Sequence, residues 1–130
     1  MSNNNEIALP KEMLIVSETD TKGNIIFANK DFCTIAGYTL EELVGKPHNI
    51  LRHPDMPKVA FQDLWDTIKK GKIWNGIVKN KVKDSSKYYW VNATVYESKN
   101  QSGEKRYISV RVKPTKEEVE NAIALYRTLR

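Results

Sequence analysis

Residues 73–112 hold three runs in which apolar and polar side chains alternate, separated by two short polar turns. That pattern admits little besides antiparallel strands whose two faces differ. In the first run Trp74, Gly76, Val78, Asn80 and Val82 share one face, and Ile73, Asn75, Ile77, Lys79, Lys81 and Lys83 the other. Residues 83–87 form a hairpin turn. In the second run, 88–97, Tyr89, Val91, Ala93 and Val95 lie opposite Tyr88, Trp90, Asn92, Thr94 and Tyr96. Residues 98–104, with Gly103, make the second turn, and residues 106–112 the last strand. Ser109 and Arg111 face inward there if Ile108 and Val110 face out, a choice that alternation leaves open.

The earlier part of the chain is more broken. Residues 13–17 and 24–28 have strand character, and the small polar residues 17–23, closed by Gly23, turn between them. Asn29 caps a short helix over 30–36, which Gly37 stops. Thr39 and Glu42 form a capping box that opens a second short helix, closed by residues 45–47. Asp55 and Pro57 mark the start of the longest internal helix, with Asp55 as its N-cap. In it Val59, Ala60, Phe61, Leu64, Trp65 and Ile68 recur at helical spacing, Trp65 and Phe61 as core residues, and Gly71 ends it. Thr115 and Glu118 open a C-terminal helix with an apolar seam of Val119, Ala122, Ile123, Tyr126 and Leu129. Strands segregated from helices predict an α+β fold with a five-stranded antiparallel sheet. The irregular helical stretch 29–71 covers one face and leaves a hollow under it.

Composition narrows the function classes. A chain of 130 residues, 40% hydrophobic, is one domain with a core of its own. The single cysteine, Cys33, excludes an internal disulfide and any multi-cysteine metal cluster, and agrees with a reducing compartment. It reads as a small buried hydrophobe. No apolar run approaches a membrane span, and the first ten residues lack a signal peptide's apolar stretch. The net charge of +5 is unevenly placed: the first 68 residues sum to −4 and the remaining 62 to +9. Most of the excess lies on lysines opposite the Trp74 and Asn80 face. With no basic helix stripe and no aromatic–basic RNA motif, nucleic acid is not an expected partner. No nucleophile–base pair, metal-ligand spacing or phosphate loop marks an enzyme.

A resemblance rests on particular residues. Gly37, Tyr38, Glu42, Leu43 and Gly45, with the strand order, resemble a PAS domain. The run Gly45, Lys46, Pro47, His48, Asn49, Ile50, Leu51, Arg52, His53, Pro54, Asp55, Met56, Pro57 is more specific. With Phe61, Leu64, Trp65, Lys70, Gly71, Trp74, Asn75, Gly76, Val78, Lys79, Asn80, Tyr89, Trp90 and Val91 it closely resembles the sensory PAS domains of Aer-type aerotaxis receptors and bacterial energy-taxis adaptors. The resemblance spans about residues 12–126. It implies a PAS domain over 12–113, a flexible segment over 1–11 and a connector helix over 114–130.

It also implies non-covalently bound FAD whose redox state is read and passed on. Asn29, Arg52, His53, Asp55, Trp74 and Asn80 fall on positions associated with flavin binding or its support; Ser109 and Arg111 join them if they face inward. Chemistry supports most of these independently. A flavin needs an apolar or aromatic wall, amides for its polar edge and cations for its anionic part. Trp74 can stack on a ring or fill the core. Asn80 is an amide on an apolar face and needs partners. Arg52 and His53 precede a helix N-terminus, where a cation and free N–H groups converge on an anion; a loop salt bridge is the alternative for Arg52. His48 reads as a structural hydrogen-bonding residue. The adduct-forming cysteine of photosensory LOV domains has no counterpart in residues 49–53.

The implied partners are a chemotaxis receptor's HAMP-type or signalling domain, in cis or in trans, and a second copy in a homodimer. The implied location is the cytoplasm, at the inner face of the membrane through a receptor. Two other readings stay open. A haem-binding gas sensor would use His48 or His53 as axial ligand. A cofactor-free module would dock or dimerise through Tyr88, Trp90 and Tyr96 or the seam of the last helix.

Overall fold

The computed structural model describes residues 5–129. Strands β1 (Ile15–Thr19) and β2 (Ile25–Ala28) form a hairpin. Helices α1 (Lys30–Ala36) and α2 (Leu40–Leu43), a 3-10 turn (His48–Leu51) and helix α3 (Lys58–Lys69) follow. Strands β3 (Trp74–Lys81), β4 (Tyr88–Lys99) and β5 (Lys105–Val112) come next, then helix α4 (Lys116–Leu129). The five strands make one antiparallel sheet in the order β2-β1-β5-β4-β3. This is the α+β architecture expected from the strand and helix patterns.

The caps work as the sequence predicts. Asn29 Oδ1 accepts from Phe32 N (3.0 Å), and Gly37 ends α1 in the left-handed region at φ 80°. Both capping boxes form, Thr39 with Glu42 and Thr115 with Glu118. The N-terminus of α3 differs. Its cap is Pro57, without a side-chain hydrogen bond, so Asp55 is not the N-cap. Asp55 instead pairs with Lys79 Nζ at 2.8 Å, because residues 52–53 run along the edge of β3. β1 also extends two residues beyond the expected strand end. Thr19 still pairs with Tyr107, and the turn begins at Asp20, whose Oδ1 accepts from Lys22 N and Asn24 N.

One face of the sheet is covered by α1, α2 and α3. Ile15, Val91, Tyr89, Ile25 and Ile68 are nearly inaccessible there. Helix α4 starts at the opposite face, where Asn92 Nδ2 donates to Glu118 Oε2, and passes along the edge strand β3, where Tyr126 donates its hydroxyl hydrogen to the Ile77 carbonyl. The flexible segment expected over 1–11 is docked where the structure describes it. Tyr88 N donates to Asn5 O (2.9 Å), Ile7 N donates to Tyr88 O (2.8 Å), and Leu9 is buried. Edge pairing satisfies backbone groups that an open strand would leave to water. Residues 1–4 of that segment lie outside the described residues.

Candidate functional site

Helix α3 is amphipathic, yet of its apolar stripe only Ile68 is fully buried. Phe61, Leu64 and Trp65 are half-buried because they front a cavity of about 210 Å³ between the helix and the sheet. The facing wall comes from inward positions of three neighbouring strands: Trp74 and Val78 of β3, Ala93 and Val95 of β4, and Tyr107, Ser109 and Arg111 of β5. Register sets this grouping, since Trp74 lies opposite Val95 and Val95 opposite Ser109. His48, Asn49 and Arg52 close one side, and exposed Lys22 stands at the rim.

The aromatic walls are held by specific contacts. Trp74 Nε1 donates to Asp63 Oδ2 at 2.9 Å, tying the indole to α3. The indole also lies over Gly76, where a Cβ would come within 2.4 Å of its ring, so position 76 is left to hydrogen by sterics. Trp65 meets Tyr107 edge-on, with centroids 5.6 Å apart.

The polar groups are unusual for a cavity this apolar. Arg111 is 5% exposed. Its Nη2 donates to His48 Nε2 (2.6 Å) and Ser17 Oγ (3.2 Å), and Ser17 Oγ lies 3.1 Å from the same ring nitrogen. Arg111 Nη1 and Ser109 Oγ are buried without a partner. Burial pulls the Arg111 guanidinium down to about 10, still charged at neutral pH. Burial, and then the Arg111 charge, push His48 down to about 3, so the ring is neutral and can accept. The Arg52 guanidinium sits 3.6 Å above the Phe61 ring centroid, and its Nε is also buried and unpartnered. Burial lowers its pKa. Buried donors are normally paired, so three unpaired ones around a single cavity match an acceptor-rich ligand.

Of the sequence-predicted site residues, Arg52, Trp74, Ser109 and Arg111 converge on this cavity, which settles the facing of the last two. Four others do not line it. Asn29 is spent on structure: besides capping α1, its side chain accepts from Val16 N (3.1 Å) and donates to Leu14 O (2.8 Å). Asn80 is buried two positions beyond Val78 and stands directly opposite Tyr89 in the ladder. Asn80 thus sits outside the lining of this cavity, where the resemblance implied a flavin contact. His53 Nδ1 accepts from Asp55 N (3.0 Å), and its ring packs edge-on against Tyr88 of the outer face. Burial, and then the Lys79 charge, lower its pKa. Lys79 is no solvated surface lysine: its side chain is 12% exposed and its Nζ lies 4.1 Å from the Tyr88 ring centroid. Cys33 is half-buried on α1, and burial raises its thiol pKa.

Sequence reasoning passed over Ser17 and the role of His48 in the cavity wall. Ser17 had the signal that singled out Asn80, a polar residue at an inward position of a strand. Phe61 and Trp65 were read as core because helical spacing cannot distinguish a packed core from a lined cavity.

Comparison with known proteins agrees with this architecture. The chain is 44% identical over 121 residues to the aerotaxis receptor of Escherichia coli; the match covers 93% of this chain and 24% of the receptor. It is 33% identical over 73 residues to a nitrogen fixation regulatory protein of Klebsiella oxytoca, covering 56% of this chain and 15% of that protein. The chain thus spans about a quarter or less of these relatives. The light-state structure of the blue-light photoreceptor Aureochrome1 LOV superposes with a TM-score of 0.73 at 20% identity, over 87% of this chain and 91% of that one. No helix among the described residues is long and apolar enough to cross a membrane. A family model described as PAS fold matches residues 25–121, and the chain belongs to that family.

Proposed function

We propose that this chain is the sensory domain of an energy-taxis system, binding FAD with its ring end in the cavity beneath α3. One observation carries the reading: a buried arginine, Arg111, keeps an unpartnered Nη1, and Ser109 an unpartnered Oγ, in the lining of one aromatic-walled cavity. A flat π-system with a polar edge suits both the walls and the donors. The cavity is smaller than the roughly 300–1,000 Å³ of sites that enclose a drug-sized ligand. It suits one end of a dinucleotide, with the pyrophosphate and adenine outside and Lys22 and Arg52 as nearby cations. When bound, the flavin supplies reversible uptake of electrons and protons.

The protein's own residues do the rest. Phe61, Trp65 and Trp74 exclude water, and Arg111 and Ser109 orient the ring edge. Trp74 carries a change of fit to α3 through Asp63. The outer face, where α4 starts, then meets the signalling partner, a HAMP-type or signalling domain of a chemotaxis receptor. On this reading residues 12–113 are the sensor and 114–130 the connector, in the cytoplasm near the inner membrane face. The 44% identity to the aerotaxis receptor supports the taxis role. Neither histidine favours haem, since His48 Nε2 is engaged by Arg111 and His53 packs outside the cavity.

A visible spectrum before and after dithionite tests the proposal. The purified chain should be yellow, or become so on incubation with FAD, and should bleach on reduction. A folded chain that takes up no FAD would sink it.

A further inference from the structure

Arg111 is anchored by a neutral side chain where a carboxylate would be the usual choice. Its hydrogen-bond partners are His48 and Ser17, and among the described residues no ion pair joins it to an acid. A carboxylate in the place of His48 would hold the guanidinium equally well but cancel its charge. An imidazolium would repel it and offer no lone pair. Of these three states, the neutral imidazole, with its proton on Nδ1, is the one that anchors the cation and leaves its charge uncompensated.

The anchor is itself rigid. His48 opens the 3-10 turn, its backbone N donates to Gly23 O (3.0 Å), and the preceding Pro47 pairs with Asn24. Phe32 backs both groups, meeting the imidazole edge-on at 5.9 Å and lying 5.1 Å from Arg111 Cζ. With Nη2 shared between His48 and Ser17, rotation of the guanidinium is blocked, and Nη1 is the arm left without a partner.

We propose that His48 is a positioning residue for Arg111: its neutral ring fixes one arm of the guanidinium so that the other, fully charged, meets the ligand and favours its more negative form. This rests on the flavin reading above. A flavin ring that takes up two electrons and one proton from its surroundings gains one negative charge. A fixed, uncancelled cation holds that form more tightly than the neutral oxidised ring.

The test is a potential titration of the FAD-loaded chain. His48→Phe keeps an aromatic ring and removes the acceptor; His48→Gln keeps an acceptor. His48→Phe should lose at least tenfold in preference for the reduced ring, a fall of about 30 mV for two electrons. His48→Gln should stay within about threefold of the parent, about 14 mV on the same scale. Arg111→Gln should fall at least as far as His48→Phe, and the double variant no further, since the two act as one unit. An unmoved potential in His48→Phe, equal falls in both His48 variants, or additive falls overturn the inference. If His48→Phe does not fold, nitrogen NMR of the parent imidazole at pH 6 decides. The Nδ1–H neutral tautomer is expected, and an imidazolium or the Nε2–H tautomer refutes it. A chain that takes up no flavin removes the flavin reading itself, whereas a flavin-loaded chain with unmoved potentials removes only the role of His48.

Discussion

The indole N–H of Trp74 donates to Asp63 across 2.9 Å and so joins the β3 wall of the cavity to the helix that roofs it. Asp63 is itself exposed, so the bond has competition from water and is worth about 1 kcal/mol. Asp63→Ala should lower unfolding stability by about that much and shift the fluorescence of Trp74 on ligand binding. A urea titration with fluorescence detection measures both. Unchanged stability and emission would mean that the contact does not couple the wall to α3.

Gly76 is the seat of that indole. Adding a methyl group 2.4 Å from the ring forces Trp74 off its strand, because the ring is boxed in by Asp63 and α3. Gly76→Ala should cost about 1–3 kcal/mol and perturb the cavity with it. The check is a denaturant midpoint together with FAD uptake. A variant as stable as the parent would show that the indole has room to move.

Asn29 holds three backbone groups with one side chain: the N-terminus of α1, Val16 of β1 and Leu14 just before that strand. Asn29→Ala removes a cap and two cross-links, and should lower stability by about 2 kcal/mol. Asn29→Asp keeps the accepting oxygen and should lose less, since only the bond to Leu14 O disappears. Thermal melts of the two variants give the comparison; equal losses would place the effect outside the cap.

His48 makes stability depend on pH. Its folded pKa of about 3 lies below the unfolded value near 6.5, so between the two the unfolded chain binds a proton that the folded chain refuses. Stability is therefore complete above about pH 6.5 and declines as the pH falls toward 3. At pH 4.5 the loss from this group is on the order of 2–3 kcal/mol. Asp20 and Glu42, whose carboxyls are also lowered, contribute in parent and variant alike. His48→Gln should thus flatten the difference between urea titrations at pH 7 and pH 4.5. A parallel pH profile would contradict the buried neutral ring.

Arg111 costs the empty fold the desolvation of a charge, and among the described residues no acid pairs with it to return that cost. Arg111→Met should leave the stability of the FAD-free chain unchanged or raise it, while FAD affinity falls at least tenfold. Melting with and without FAD separates the two effects. A loss above about 2 kcal/mol in the FAD-free chain would show that its bonds to His48 and Ser17 outweigh the burial cost.

Much of the fold can be read along the chain because its signals are local. Alternation placed Trp74, Val78 and Asn80 on one face of β3, and Asn29, Thr39 and Thr115 announced their helices through capping chemistry. Capping geometry needs only three or four neighbouring residues, so the chain itself contains the whole argument. Asp55 shows where such reasoning stops. It has the composition of a cap, but the edge of β3 holds the backbone of residues 52–53 just before it, and Lys79 takes its carboxylate, a contact 24 residues away.

The site was legible in kind rather than in membership. An aromatic wall, an arginine and buried polar residues could be expected from Trp74, Arg52 and Asn80. Which polar groups stay unpaired depends on cross-strand register, and no single strand contains that information. The ladder sets Asn80 opposite the polar Tyr89, while Ser109, opposite Val95, is left without a partner. Arg111 and His48, 63 residues apart, meet only when β5 lies beside β1 and the 3-10 turn folds over both. By itself the sequence determined the strands, the caps and the two-faced sheet, since these rest on neighbours in the chain. Tertiary structure alone decided which buried charges and hydroxyls are left for a ligand, because a polar group's need for a partner is met or denied in space.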